Sequence, residues 1–454
     1  MKRRDFIKCS LVAGMAVMMP DFTYANTLDT SKIHFTNNNS NVQTIVVFLS
    51  GGASQLAGNI SNIDEIKQKS QSDYDTVFKG ITATKNNCWA EAGGTEMEDL
   101  IKNEDMTLFR CCYSAVREES NNKAHGQCAS ENKRGSFKES SDGMFTSLAR
   151  VLEENGIINS DTILPFVDIG GGVQFYNDEE KSLSPNLRPV SISPNFQNPY
   201  KRWGTRNKAY YTEAEKSKGG DGYFFRDRPV PKLNDKMDFL SQQINKSGKI
   251  KEAFNQRGIL DRFIDEVKTS KTPDLGENPY PVSGFSNKLE AAIKILNKNP
   301  DTKVVTIGSV GGLGGWDDHE NGMAYVYRMR ALFKALKAAM THLKAISKEQ
   351  TINIILFGEF GRNINLNTAN GWDHGNLQNV YVLGGKDYFT HKGIIGETSV
   401  VGDGSNGRIF HRPKSGTYWF EPLSIAATLY KIYGIDNPED LTGGYKELEP
   451  LFGE

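Results

Sequence analysis

The chain has 454 residues, of which 38% are hydrophobic and 10% aromatic, and its formal net charge is −1. This length is enough for one large α/β domain or two ordinary ones, and the composition can supply a sizeable core. A nearly neutral chain without a basic patch is not expected to bind nucleic acid. No stretch reaches the roughly 20 consecutive apolar residues of a membrane helix, so we predict no stable membrane span.

The first 25 residues have the pattern of a twin-arginine signal peptide. Residues 2–8 are basic and include the adjacent pair Arg3 and Arg4, residues 9–19 are apolar, and small residues lead up to Ala25. This order of segments is typical of an export signal. We therefore predict cleavage after Ala25 by a signal peptidase and passage of the folded chain through the twin-arginine translocase, which gives a periplasmic or secreted protein. The alternatives are an uncleaved anchor or an N-terminus that is basic by chance.

Residues 26–43 are polar, rich in asparagine, and predict a linker. Beyond them, short apolar runs rich in β-branched residues recur along the chain, and most are followed by glycine. The runs are Thr44–Leu49, Ile163–Ile169, Val304–Ile307, Ile352–Phe357 and Val380–Leu383. Continuous apolar runs favour strands buried on both faces of a parallel sheet, and glycine allows a sharp turn where a strand ends.

Helical spacing of apolar residues predicts helices between these strands, at 321–347, 289–296 and 423–432. The segment from about 175 to 235 is rich in Pro, Asn, Ser and Tyr and lacks periodicity, so we interpret it as a long irregular insertion. Residues 44–454 are therefore predicted to form a single α/β domain, with a mostly parallel sheet, helices on both faces and this insertion.

In such folds, ligands bind beyond the carboxyl ends of the strands. Asp317 and His319 follow the predicted strand that ends at Ile307 and are two positions apart, so in an extended segment they point to the same side. A carboxylate and an imidazole placed in this way can share a metal ion. The alternative is that Asp317 or Asp318 caps the following helix.

Two further groups lie beside predicted strands. Glu359 follows one strand closely, and Arg362 could clamp an anionic group through two hydrogen bonds, although the two could equally form a structural ion pair. Asp373 and His374, flanked by glycines, make a second acid–imidazole pair before the strand at 380. Because parallel strands end at one edge of a sheet, we predict that all of these groups converge there.

Other candidates are less specific. Ser54 follows the first predicted strand and could be a nucleophile or could bind a phosphate, but a turn residue is the favoured interpretation. His125 could reach the same edge or could be a surface residue. His391 and His411 lie in late predicted loops and are expected to be exposed to solvent.

Four cysteines remain after the predicted cleavage site: Cys88, Cys111, Cys112 and Cys128. An exported protein can form disulfides, and four cysteines allow three pairings. No Cys-x-x-Cys motif occurs, so disulfides or buried thiols are favoured over metal ligation.

Three motifs together resemble a large bacterial family, the one numbered 1501 among the domains of unknown function. They are Gly-Gly-Trp-Asp-x-His at 314–319, Glu-Phe-Gly-Arg at 359–362, and Gly-x-Asp-His-Gly at 371–375. That family resembles the alkaline phosphatase and sulfatase superfamily, whose members hydrolyse phosphate or sulfate esters with bound metals. The resemblance implies an alkaline phosphatase/sulfatase-like fold, a small anionic ester as substrate and a divalent metal, possibly zinc.

The resemblance also implies site residues. Asp317, His319, Glu359 and His374 would be metal ligands, with Asp373 either a ligand or a neighbour of one. The stretch after the first strand departs from the family, because it lacks a metal-binding carboxylate, and no sulfatase-type nucleophile motif occurs. Two functions remain open: an exported metal-dependent ester hydrolase, or a non-catalytic binding protein that retained the hydrolase fold.

Overall fold

The computed structural model describes residues 32–36, 41–58, 63–70, 72–159, 161–179, 183–184, 187–194, 196, 262–308, 313, 315–402 and 408–453. The chain divides into two units, Met1–Lys32 and Ile33–Glu454, and the second contains every element described below. The predicted signal peptide and most of the predicted insertion at 175–235 lie outside the described residues.

The described strands form one large sheet and two hairpins. The strands are β1 Gln43–Leu49, β2 Met106–Tyr113, β3 Phe166–Asp168, β4 Val190–Ser191, β5 Val304–Ile307, β6 Ile352–Gly358, β7 Arg362–Leu366, β8 Trp372–His374, β9 Leu377–Gly384, β10 Gly393–Ile395, β11 Thr398–Gly402 and β12 Ile409–Pro413. The large sheet has eight strands in the order β10-β2-β9-β6-β1-β5-β3-β4, while β7 pairs with β8 and β11 with β12.

The large sheet is mostly parallel. β1 lies at its centre, parallel to both β5 and β6, and β3 continues the parallel order on the far side of β5. Only β9 runs in the opposite direction among the described strands, because it pairs antiparallel with both β6 and β2. The sheet is therefore mixed, with one reversed strand between two groups of parallel strands.

Helices occupy the connections. They are α1 Ile63–Ser70, α2 Tyr74–Val77, α3 Gly94–Lys102, α4 Ala115–Glu119, α5 His125–Arg134, α6 Met144–Glu154, α7 Gly284–Lys298, α8 Gly322–Ala345, α9 Ser424–Ile432 and α10 Glu439–Thr442. The 24 residues of α8 make it long enough to cross the sheet from the end of β5 back towards the start of β6. None of the helices in the described part of the chain combines the length and apolarity that crossing a membrane would require.

Side chains of β1 are buried on both faces of the sheet. Ile45 and Val47 belong to the core cluster that also contains α3, α7 and α8. On the other face, Phe48 packs edge-on against Phe175 with ring centroids 5.7 Å apart, and the Lys133 ammonium of α5 lies 4.5 Å from the Phe48 ring centroid. Burial on both faces explains the continuous apolar sequence of this strand. The predicted fold class, an α/β domain with helices on both faces of a mostly parallel sheet, is confirmed.

Several sequence-based expectations were wrong. The strand at 380 was expected to be parallel, but β9 is antiparallel. The strand β2 was not predicted, because the polar residues of its sequence MTLFRCCY obscure its apolar character. His411 lies on β12 with only 2% of its surface exposed, and His391 is partly buried, with its Nε2 hydrogen-bonded to the carbonyl of Gly384 at 2.8 Å. Neither histidine is the solvent-exposed loop residue that was expected.

All four described cysteines are free and buried. Burial raises the pKa of Cys88 to about 11 and that of Cys111 to about 12, so both remain protonated thiols at neutral pH. Of the interpretations left open by the sequence, the structure shows buried thiols.

Candidate metal centre

Three connections meet at one edge of the large sheet. β5 and β6 end at this edge, and β9 begins there because it runs in the opposite direction. Asp317 and His319 lie in the loop between β5 and α8, Glu359 directly follows β6, and His374 ends β8 just before β9. His374 thus reaches the edge for a different reason from the one expected: it precedes an antiparallel strand rather than a parallel one.

Four side chains meet at this edge: His125, Asp317, His319 and His374. We call them the His/Asp cluster. One nitrogen or oxygen atom from each lies within 4.8 Å of the corresponding atoms of the others. The Oδ1 atom of Asp317 lies 3.3 Å from His125 Nε2 and 3.2 Å from His319 Nε2. His319 Nε2 lies 3.0 Å from His374 Nε2.

The first two imidazoles are held from behind by carboxylates. His125, the first residue of α5, has its Nδ1 2.7 Å from Glu359 Oε2. His319 has its Nδ1 3.2 Å from Asp373 Oδ1. A carboxylate accepts a hydrogen bond from a ring N–H, so these contacts place a proton on each Nδ1 atom. In this tautomer the Nε2 lone pairs of both rings face the interior of the cluster.

The third imidazole is held by the main chain. His374 Nδ1 donates to the carbonyl oxygen of Lys123 at 2.7 Å, and since a carbonyl can only accept, Nδ1 must carry the proton. Burial, together with the charge of Arg362, lowers the pKa of His374 to about 4, so the ring is neutral at pH 7. Its Nε2 atom also presents a lone pair to the cluster.

A buried arginine lies against the cluster. Arg362 begins β7 and pairs in register with His374 on β8. Its Nη2 donates to Asp317 Oδ1 at 2.6 Å, and its Nη1 approaches His319 Nε2 at 3.3 Å. Its guanidinium also donates to four main-chain carbonyls. These belong to Gly51, Gly52, Trp316 and Trp372.

The contacts of Arg362 change its expected role. A guanidinium has five N–H groups, and here its three nitrogens donate to four carbonyls and to Asp317 Oδ1 while the side chain has no exposed surface. Arg362 is therefore too deeply buried to clamp a substrate anion, and its ion-pair partner is Asp317 rather than Glu359. Burial alone would raise the pKa of the Asp317 carboxyl, but the hydrogen bond and charge of Arg362 outweigh burial and lower it.

Ser54 is not part of the cluster. It is 3% exposed, and its hydroxyl accepts a long hydrogen bond of 3.4 Å from the Leu56 N–H. It lines a small enclosed cavity together with Gly358 and Tyr381. This placement agrees with the turn interpretation and gives the hydroxyl no contact with the candidate metal ligands.

The predicted ligands thus divide into two groups. Asp317, His319 and His374 point their acceptor atoms inward, whereas Glu359 and Asp373 lie behind the imidazoles and hold them in place. His125, predicted only as a possible catalytic residue, takes the fourth inward position. Its sequence gives no signal for this role, because it lies far from the other motifs and opens an otherwise polar helix.

The sequence left two interpretations of the loop between β5 and α8: a metal site, or a cap of the helix by Asp317 or Asp318. Asp318 is buried and pairs with Arg328, and the residue before α8, Asn321, makes no side-chain cap. Neither aspartate caps the helix. Asp317 remains half-exposed and faces the cluster.

The donor set fits a metal ion. Four acceptor atoms converge, and apart from the hydrogen atoms of Arg362 no described donor lies among them. Lone pairs of His319 and His374 at 3.0 Å repel each other unless a proton or a metal ion lies between them. Three imidazoles and one carboxylate match the ligands and number of a tetrahedral zinc site, and carboxylates or carbonyls behind the imidazoles are the usual support of such ligands.

Comparisons with known proteins identify fold likeness only. No model of a known protein family matches the chain, and no curated protein matches it. Similar solved structures include Ps i-CgsB in complex with k-i-k-neocarrahexaose, at 11% identity and a TM-score of 0.35, covering 90% of this chain and 76% of that one. Another is the phosphonate monoester hydrolase SpPMH from Silicibacter pomeroyi, at 10% identity and a TM-score of 0.37, covering 91% and 77%. Likenesses this distant carry no weight for activity.

Proposed function

We propose that the His/Asp cluster binds a divalent metal ion, with zinc as the best match. The observation that carries this proposal is the convergence of three imidazoles and the Asp317 carboxylate, while the Nδ1 atom of each imidazole is held by an acceptor behind it. Imidazole ligands favour zinc and its neighbours over magnesium and calcium, which prefer oxygen.

We further propose that the protein hydrolyses phosphate or sulfate esters. A bound divalent ion would supply Lewis acidity towards an ester oxygen and lower the pKa of a water molecule. Glu359 and Asp373 would hold the imidazoles in orientation. Arg408, whose side chain is 46% exposed, lies 3.6 Å from Asp373 Oδ2 and offers a guanidinium at the rim that is available to an anionic substrate, as Arg362 is not.

The test has two parts. Elemental analysis and zinc titration of the purified chain are expected to show bound ion that is lost in His319→Ala. A panel of aryl phosphates, phosphonates and sulfates is then expected to show turnover that depends on the same residue. Absence of both bound metal and turnover would rule out the hydrolase.

A second function has its own support. Within the described part of the chain, no hydroxyl or thiol is hydrogen-bonded to the His/Asp cluster, so no side-chain nucleophile is evident. A metal-binding protein without catalysis would show the same zinc binding but no turnover of any ester in the panel. The two functions are therefore separated by the second part of the test alone.

Export is also proposed, on the sequence of residues 1–25. In a bacterial host with an active twin-arginine pathway, the chain is expected in the periplasmic fraction or the medium, shortened by about 25 residues. Replacing Arg3 and Arg4 together by lysine is expected to leave the uncleaved chain in the cytoplasm. Unchanged export of the double variant would contradict this pathway.

A further inference from the structure

We propose that the His/Asp cluster holds one divalent ion and no second, because the guanidinium of Arg362 permanently occupies the place of another cation. This inference rests on the proposed metal binding and adds its stoichiometry and the role of Arg362. Arg362 then acts as a positioning residue for Asp317, not as a group that binds substrate.

The number and span of the ligand atoms argue for one ion. Four acceptor atoms face inward, and they lie within 4.8 Å of one another. One zinc ion takes four ligands at about 2.0–2.2 Å, so this span fits a single ion. Sites with two metals place the ions about 3.5–4 Å apart and need further ligands. Glu359 and Asp373 are not among the four groups whose ligand atoms lie close together, since they contact the Nδ1 atoms on the outer side of two imidazoles.

The charges of the side chains around the His/Asp cluster also favour a single divalent ion. The carboxylates of Asp317, Glu359 and Asp373 carry three negative charges, and Arg362 returns one positive charge. The remaining charge of −2 is balanced by one divalent ion, while a second would leave an excess of +2 in a partly buried site, which is unfavourable. The neighbouring buried pair Arg117–Glu131 is neutral by itself, and the charge of the buried Lys133, which also interacts with Glu359, is offset by the buried Asp168. Arg408 lies at the solvent-exposed rim, where its charge is screened.

Arg362 is held too firmly for a metal ion to displace its guanidinium. Its guanidinium is fully buried and donates to four carbonyls. These carbonyls belong to three separate parts of the chain, near 51, 316 and 372. Moving it would leave these carbonyls without partners at a cost of about 1–3 kcal/mol each. Removal of the side chain would leave a cavity lined with oxygen atoms and bounded by Asp317, which is a suitable place for a cation.

The experiment is a titration of the purified full chain with Co²⁺, followed by its visible absorption and by calorimetry. The wild type is expected to saturate at one equivalent, and Arg362→Ala to bind a second equivalent that added guanidinium ions displace. The matched control is Arg110→Ala, which removes another buried arginine, one bonded to the main-chain carbonyls of Gly58 and Asn86 rather than to the cluster. It is expected to stay at one equivalent.

The outcomes are separable from those of the proposed function. A cluster that binds no Co²⁺ overturns the proposed metal site itself. A wild type that binds two equivalents, both lost in His319→Ala, overturns only this inference, as does a folded Arg362→Ala that stays at one equivalent. If Arg362→Ala fails to fold, Arg362→Lys replaces it: this variant keeps the charge and is expected to remain at one equivalent, and a second equivalent there would overturn the inference.

Discussion

Strands β1 and β5 end at the same edge of the sheet, but the segments that follow them contribute to the candidate site in different ways. The segment at 315–321 after β5 brings side chains, Asp317 and His319, into the His/Asp cluster. The segment at 50–58 after β1 brings support instead: the carbonyls of Gly51 and Gly52 accept from the Arg362 guanidinium, and Gln55 Oε1 accepts from the Arg362 main-chain N–H. One segment supplies the chemical groups and the other supplies the support on which they are arranged.

Close packing between the two segments explains the glycine at the end of β1. Gly51 has a φ of +111°, and a Cβ atom there would overlap the main-chain nitrogen of Asp317 and lie 2.8 Å from the carbonyl carbon of Trp316. The Trp316 N–H donates to the carbonyl of Ser50 at 3.1 Å. The glycine after this strand therefore serves to bring another loop into position.

The largest effect is expected from His319→Ala, which tests the segment that carries the chemical groups. Loss of an inward ligand should lower Zn²⁺ affinity by more than about 100-fold, beyond the loss seen when an outer partner is removed. Because the side chain is 40% exposed, the free energy of unfolding of the metal-free protein should change by only about 1 kcal/mol. Calorimetric titration and urea unfolding measure the two. Equal affinity in variant and wild type would contradict the assignment.

Gly51→Ala tests the supporting segment. Strain at a positive φ together with the overlap on Asp317 should lower the free energy of unfolding by about 3 kcal/mol or more, and should weaken metal binding as well. Urea unfolding followed by circular dichroism measures the first effect. Gly80→Ala is a suitable control, since Gly80 also has a positive φ but its Cβ would meet no neighbour within 4 Å. Equal losses in the two variants would show that contact with Asp317 is unimportant.

A pH-dependent effect is expected from His411, which contacts the supporting segment through Gln55 at 3.2 Å. Burial lowers its pKa from 6.5 to about 3. Between these values the unfolded chain binds a proton that the folded chain does not, so stability is complete above pH 6.5 and falls as the pH decreases towards 3. At pH 5 the loss should be about 2 kcal/mol. Unfolding of wild type and His411→Gln at pH 7.5 and 5 measures it, and the variant should lose less; an identical loss would contradict this account.

Glu359→Gln sharpens the distinction between inward ligands and the groups behind them. Gln is a weaker acceptor for His125 Nδ1, so Zn²⁺ affinity should fall by about 10- to 100-fold without being abolished. Glu421→Gln is the matched control, because Glu421 is similarly buried and accepts a hydrogen bond from the Ala115 N–H. It should leave Zn²⁺ affinity unchanged. Complete loss of binding in Glu359→Gln would instead make Glu359 a ligand.

The smallest effect is expected from Ser54→Ala. Removing its long hydrogen bond to Leu56 should lower the free energy of unfolding by less than about 1 kcal/mol, with Zn²⁺ affinity and any ester turnover unchanged. Assays on the panel of aryl esters decide this. A folded variant that has lost turnover would restore Ser54 as a candidate nucleophile.

The sequence predicts the parts of this molecule whose physical causes are local. Buried central strands such as β1 and β6 are continuous apolar runs, and α8 has helical spacing, so their positions follow from periodicity. The direction of β9 does not, because an apolar run carries no information about the orientation of its neighbours.

Part of the candidate metal site was also predictable from the sequence. Asp317, His319 and His374 stand out as acid–imidazole pairs beside strands, and the structure brings them together. The inward place of His125 depends on its contacts with Asp317, 192 positions away, and Glu359, 234 positions away, and two of the acceptors around Arg362 lie more than 300 positions from it. No local pattern records such contacts. The family resemblance implied Glu359 as a ligand and Asp373 as a ligand or a neighbour of one, and the structure places both behind the imidazoles.

The most direct test of the central claim is X-ray absorption at the zinc edge of the Zn²⁺-loaded protein. The His/Asp cluster predicts four ligands, with three imidazole nitrogens at about 2.0–2.1 Å and one carboxylate oxygen at about 2.0–2.2 Å, and the imidazole signal should fall by one ring in His125→Ala. A shell of six oxygens, a sulfur ligand from a cysteine, or an imidazole signal unchanged in His125→Ala would contradict it.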